Sequence, residues 1–172
     1  MSAVFIISGG QTGVDRAALD AAMRYNVGCG GYCPRDFWAE DGKISNHYPL
    51  TALDDEDPNV RTAANVDLAD GVCVISPGEP EGGTALASSY ARETGKPVLK
   101  LGEDYRSTED EIKRLDHWFN ALSGNKINVA GPRLSEWPQG YQVTRRIFDG
   151  WLRSKIRRAG QRLLAAETDL VK

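Results

Sequence analysis

The chain is short of the residues that build metal sites. Its 172 residues include three cysteines and two histidines. Cys29, Cys33, Cys73, His47 and His117 show no paired ligand spacing. A structural zinc site needs four such ligands, so no protein-held metal is expected. An odd number of cysteines argues against a disulfide framework and suits a reducing cytoplasm. No apolar run nears the roughly 18 residues that a membrane helix requires. The chain enters its first strand without a basic region or cleavage site, so neither a membrane span nor a signal peptide is expected. A strong excess of charge of one sign is missing too. A net charge of −3 gives no bulk electrostatic reason to bind nucleic acid or a membrane surface. With no repeat, low-complexity tract or linker, the length predicts one domain over residues 1–172.

What is present is glycine, 18 residues of it, placed twice just after an apolar segment. Residues 4–8 read as a buried strand. They break into Ser8-Gly9-Gly10-Gln11-Thr12-Gly13, and a helix follows at once, with Thr12 as its cap and Asp15 three residues on. Its inner stripe of Val14, Ala17, Ala18, Ala21, Ala22 and Tyr25 keeps the helical period. A strand–glycine turn–helix junction offers backbone N–H groups to an anion, most often a phosphate. The loop has neither the spacing of the dinucleotide fingerprint nor the lysine of a Walker loop, and the plain alternative is a tight turn without a ligand. The arrangement recurs at residues 71–94, where Ser-Pro-Gly-Glu-Pro-Glu-Gly-Gly-Thr joins a second apolar strand to a second helix. If the two strands lie side by side, their loops share one crevice at the carboxyl edge of a sheet.

The rest of the chain keeps alternating. Residues 28–34 are read as a short strand broken up by glycine. Residues 35–57 form a long polar segment of the kind that is functional or mobile, and are a candidate lid. Asp57-Pro58 opens a helix to about residue 69. Strands at 98–101 and 126–130, a helix capped by Ser107, and a basic amphipathic helix at about 139–166 complete the pattern. Strands separated by helices predict an α/β fold. It is a Rossmann-like three-layer sandwich, with a mostly parallel sheet and helices on both faces.

Several polar groups could serve a ligand. Arg61, Thr62 and Asn65 share one helix face and could meet a phosphate or a base edge, although the same spacing suits a solvated face. Arg16 and Arg35 could add charge-assisted hydrogen bonds. If residues 35–57 fold over the crevice, Glu40 or Asp41 could supply the carboxylate of a hydrolase, as could Asp15. Glu-Asp-Gly is equally good chemistry for a solvated turn. The acidic run at 54–57 reads as a solvated loop. The final helix carries an apolar stripe of Phe148, Leu152, Ile156, Ala159 and Leu163, with arginines and lysines from Arg145 to Arg162 around it. That pattern could suit nucleic acid or a membrane surface. A packed helix with a solvated basic face, or one at a dimer interface, is the plainer reading.

Five ordered motifs point further. They are Ile-Ser-Gly-Gly-Gln-Thr-Gly-Val-Asp-Arg-Ala-Ala-Leu-Asp, Gly-Tyr-Cys-Pro-Arg with Ala-Glu-Asp-Gly, Arg61-Thr62 with Asn65-Val66, Glu81-Gly82-Gly83-Thr84, and Asn128-Val-Ala-Gly-Pro-Arg133. Over about residues 4–150 the chain resembles the family named "Putative molybdenum carrier", a circularly permuted YpsA-like branch of the LOG-like Rossmannoid superfamily. The resemblance implies a site for a nucleotide or a phosphate-bearing cofactor such as molybdenum cofactor, and a homo-oligomer, dimer or tetramer. It places the glycine motifs on Gly9, Gly10, Thr12, Gly13, Gly82, Gly83 and Thr84. The polar positions fall on Gln11, Asp15, Arg16, Arg35, Glu40, Arg61, Thr62 and Asn65. Phosphoribohydrolases of the superfamily carry a catalytic glutamate three residues after the threonine of the glycine loop. Here that position is Ala87. The expectation is therefore a carrier that binds a phosphate-bearing small ligand. The alternative is a nucleotide or N-glycoside hydrolase using Asp15, Glu40 or Asp41, and a nucleic-acid module built on the last helix ranks third.

Overall fold

The computed structural model describes residues 4–55, 57–103 and 107–169. Six strands form one sheet in the order β5 (Leu50–Leu53), β2 (Gly28–Pro34), β1 (Phe5–Ile7), β8 (Lys126–Ala130), β6 (Gly71–Ile75) and β7 (Val98–Leu101). All of its neighbouring strands pair in parallel. Five helices complete the chain: α1 (Val14–Arg24), α2 (Pro58–Asp67), α3 (Gly82–Glu93), α4 (Thr108–Ala121) and α5 (Gly140–Asp169). This is the Rossmann-like α/β fold that the alternation predicts.

Side-chain alternation along the strands separates two cores. In β6, Cys73 and Ile75 join Ile6, the alanines of α1, and Leu115, Phe119, Phe148 and Trp151 of α4 and α5. Val72 and Val74 turn the other way, against Val66, Ala87 and Ala91 of α2 and α3. A strand buried on both faces must be apolar throughout, and all five residues of β6 are buried. On α4, Leu115 and Phe119 lie inside, with Ile112, Trp118 and Leu122 packed against the same core. Helix α2 starts as expected, since the Asp57 carboxylate accepts from Asn59 N at 2.8 Å with Pro58 in the first turn. Its other end is closed by Lys96. The ammonium of Lys96 donates to the carbonyl oxygens of Val66, Asp67 and Ala69 at 3.0, 2.9 and 2.6 Å, a cation on the negative end of a helix.

Three local expectations change. Residues 35–57 are not a featureless loop. They hold a two-stranded antiparallel hairpin, β3 (Trp38–Ala39) and β4 (Gly42–Lys43), followed by β5. A four-residue edge strand next to Pro49 is too short to show periodicity, and its pairing Gly31↔Leu50 comes from β2. Thr12 does not cap α1. The helix starts one residue later, after Gly13 at φ +75°. A Cβ at Gly13 would sit 2.8 Å from Pro132 O and 2.9 Å from Leu134 N, so only glycine lets the loop between β8 and α5 lie on the helix start. Ser107 holds the cap position of α4, but its hydroxyl bonds Asp110 at 2.6 Å and caps no backbone N–H. Glu56 of the acidic run, and the side chains of Arg162 and Leu163, lie outside the described residues. Among the described residues, no helix is long and apolar enough to cross a membrane.

Candidate functional site

From β1 the chain moves outward through β2 to β5. It then crosses to β6 and β7, and returns through β8 to the other side of β1. The carboxyl ends of β1 and β8 are therefore a topological switch point, the place where open α/β sheets bind ligands. A cleft of about 540 Å³ lies there. That volume suits a small organic ligand. The two glycine loops both reach it, but their strands are not neighbours, because β8 stands between β1 and β6.

The residues read from sequence divide into those that line the cleft and those that do not. Gly9, Gln11 and Asp15 line it from the first loop, Arg61, Thr62 and Asn65 from α2, and Gly82, Gly83 and Thr84 from α3. Gly10, Thr12, Gly13, Arg16 and Arg35 are absent from its lining, as are Glu40 and Asp41. Each absence has a visible cause. The Arg16 guanidinium forms a two-bond pair with Asp41, one bond at 2.8 Å, and donates to Gly10 O at 3.2 Å. Arg35 pairs with Asp54. Thr12 donates to Glu40 and accepts from Leu134 N at 3.0 Å. Glu40 also accepts from the backbone and hydroxyl of Ser135. These contacts tie the β3–β4 hairpin to α1 and to the loop after β8. They also hold both acids ionised. Burial opposes the charge on Glu40, but hydrogen bonds from Ser135 and Thr12 outweigh it and lower its pKa. The hydrogen bond from Arg16 lowers that of Asp41.

Within the cleft, the two glycine loops differ. In the first, the chain's own carboxylate takes the amides. Asp15 accepts from Gln11 N at 3.3 Å, with Gly9 N beside it and the Ser8 hydroxyl, which donates to Val129 O at 3.3 Å, close by. Thr12 N donates to Gln11 Oε1 at 3.0 Å and Val14 N to Pro132 O at 3.4 Å. Burial outweighs the nearby charge of Arg61 and pushes the Asp15 carboxyl up to about 6. In the second loop, Glu81 at the cap position of α3 gives no side-chain hydrogen bond. Thr84 N and Ala85 N return to Glu81 O at 3.1 Å each, while the amides of Gly82 and Gly83 find no acceptor among the described residues.

The α2 face is also split. Arg61 makes no hydrogen bond or ion pair among the described residues, though Asp15 feels its charge. Thr62 donates to Pro58 O at 3.1 Å. Asn65 is committed to β2, where its carbonyl accepts from Tyr32 N at 2.7 Å and its amide donates to Tyr32 O at 2.9 Å. One wall was not among the residues singled out for ligand binding. The end of β8 and the following loop add Asn128, Gly131, Arg133, Glu136 and Trp137. Its signal was the Asn128–Arg133 motif, which directly ends a strand. Arg133 is paired with Glu136 at 3.1 Å. Ala87 lies buried among the lining residues. Among the described residues, no three of His, Cys, Asp and Glu stand together as metal ligands.

Comparison with known proteins shows the family. The model of the circularly permutated YpsA SLOG family matches residues 6–152. The crystal structure of a protein named "Putative molybdenum carrier protein" from Syntrophus aciditrophicus is similar at a TM-score of 0.83 and 37% identity, over 87% of this chain and 95% of that one. No curated protein matches the chain. With six-sevenths of its length inside the family model and a structural relative of that identity, the chain belongs to the circularly permutated YpsA SLOG family.

Proposed function

We propose that this chain binds a phosphate-bearing small molecule in the cleft and acts as its carrier, the cargo being molybdenum cofactor or a nucleotide. The start of α3 carries the proposal. Two amides without acceptors among the described residues, the positive end of a 12-residue helix and the guanidinium of Arg61, unpaired among those same residues, converge on one cleft, which is the donor set a phosphate needs. The family resemblance brings in molybdenum cofactor beside the nucleotide, and the name of the structural relative speaks of a molybdenum carrier. No cluster of metal ligands stands among the described residues, so the protein would grip such a cargo by its phosphate. Turnover has less support. The position of the superfamily glutamate is Ala87, and Glu40 and Asp41 are tied elsewhere, leaving the hydrolase alternative Asp15 alone. The same reading has the carrier self-associating, as the resemblance implies, in the reducing cytoplasm that its cysteine usage suits.

Thermal melting of the whole chain with molybdate, molybdenum cofactor, AMP and ADP tests this, with chromatography of the same samples for free base and ribose 5-phosphate. The expected result is a higher Tm with a phosphate-bearing ligand and no product. Gly83→Glu places a carboxylate at the helix start, where an added Cβ meets nothing nearer than Thr62 Oγ1 at 3.9 Å. It should abolish the ligand shift and leave the free protein's Tm in place. Product that disappears in Asp15→Asn would replace the carrier by a hydrolase.

A further inference from the structure

We infer that Asp15 gives the cleft a polarity. The start of α3 takes the oxyanion, and the first glycine loop, filled by the Asp15 carboxylate, takes a part of the ligand that donates hydrogen bonds. This rests on the phosphate-binding reading above and narrows its ligand to a class. The ligand is a phosphate ester whose far end carries O–H or N–H groups, such as a ribose diol or a ring edge with amino hydrogens.

The two loops look alike in sequence and differ in what stands against them. At the first, Gln11 N goes to Asp15 with Gly9 N beside it, Thr12 N to Gln11 and Val14 N to Pro132, while the amides of Gly10 and Gly13, which do not line the cleft, show no acceptor among the described residues. A carboxylate in this position serves the loop as a bound anion would, and a phosphate approaching it meets like charge in a poorly solvated place. Asp15 still lines the cleft. A carboxylate has about four lone-pair positions, more than the Gln11 amide and the neighbouring Gly9 amide require. What it can accept there is a donor from a ligand. With its carboxyl at about 6, Asp15 is mainly ionised at neutral pH and is an acceptor only. Gln11, whose Oε1 is held by Thr12 N and Glu40 N at 3.0 Å each, also lines this end. Its amide nitrogen has no acceptor among the described residues. The first loop thus presents one acceptor and one donor, the pairing that reads a ring edge or a diol.

The test is titration calorimetry on the whole chain at pH 7.5, with AMP and inorganic pyrophosphate as probes, on the natural sequence, Asp15→Asn and Asp15→Ser. Backbone amide NMR follows Gly9, Gln11, Gly82 and Gly83. The natural chain should prefer AMP over pyrophosphate, and pyrophosphate should move the amides of Gly82 and Gly83 but not those of Gly9 and Gln11. Either substitution should cut the AMP-to-pyrophosphate preference about tenfold, and Asp15→Ser should let pyrophosphate move Gly9 and Gln11. Asp15→Ser stands in should Asp15→Asn fold poorly. An unchanged preference in the substituted chain, or a response of Gly9 and Gln11 to pyrophosphate in the natural one, overturns the inference while the carrier reading stands. No response of Gly82 and Gly83 to either probe removes the carrier reading, and the inference with it.

Discussion

Asp15 sets itself against the stability of the fold at neutral pH. Its carboxyl is raised from 3.8 to about 6 by burial. A raised acid binds its proton more tightly in the folded chain, so its contribution is fully present below about pH 4 and is lost as pH rises through 6. Asp15→Asn escapes that loss. In urea unfolding series, the variant should gain on the natural chain by about 1–3 kcal/mol between pH 4 and 7, the gap widening with pH. A constant gap across that range would mean that Asp15 is solvated. The case also shows what residue-level reading can and cannot reach. Asp15 and the glycines at the start of α3 were legible because they stand at strand-to-helix junctions, where the backbone itself is the binding group, and Arg61 because it shares a helix face with Thr62 and Asn65. Arg16, Thr12 and Asn65 looked like ligand hooks for the same reason, yet their partners are Asp41, Glu40 with Leu134, and Tyr32. Those partners lie 25 to 122 residues away, and no local pattern announces a clasp of that span.

Between elements, two clasps make testable statements. The β3–β4 hairpin is too small to stand alone. Its ties to α1 and to the loop after β8 run through Glu40 and Asp41. Glu40→Ala should cost about 1 kcal/mol and, more tellingly, speed amide hydrogen exchange at Leu134 and Ser135, whose N–H groups bond Thr12 and Glu40 at 3.0 and 3.1 Å. Exchange confined to the hairpin would show that the cleft wall stands without it. On the far side of the molecule, Asp116 of α4 accepts from Trp151 Nε1 at 3.0 Å, and pairs with Lys155 at 3.1 Å and Arg158 at 2.8 Å on α5. Burial works against its charge, but these bonds outweigh burial and hold its carboxyl at about 2. Such a depressed acid stabilises the fold above about pH 4, and the contribution is lost as pH falls through 2. Asp116→Asn should therefore remove on the order of 2 kcal/mol at pH 7 and flatten the acid limb of the stability curve. An acid limb as steep as the natural one would place that acid sensitivity elsewhere. These contacts take up Lys155 and Arg158 of the basic face of α5, a face that the sequence left open between a solvated surface, a dimer interface and a surface for nucleic acid or membrane.

At the scale of the molecule, alternation of strand and helix was enough to predict a parallel three-layer fold, because a parallel sheet needs a crossover after nearly every strand. Strand order was not legible. Nothing local tells that β8 enters between β1 and β6, since that choice is made by packing of α1, α4 and α5 over one face. The resulting order has a simple anatomy. Three strands from residues 5–53 make one half of the sheet, and three from residues 71–130 make the other. They meet at a single seam, Phe5↔Lys126, Ile6↔Ile127 and Ile7↔Asn128. A chain ending after residue 121 would lack β8 and α5, leaving β1 as an open apolar edge and α1 without its packing partner. It should elute as aggregate in size-exclusion chromatography, where the full chain gives a discrete species.

That seam has a meaning for the nascent chain. The inner neighbour of β1 is made about 120 residues after it. At roughly 5–20 residues per second, the edge of β1 waits unpaired for about 6 to 24 seconds. The cleft, built across both halves, exists only once β8 has been made. A ligand held there as proposed would bridge the seam and hold shut a joint that forms late.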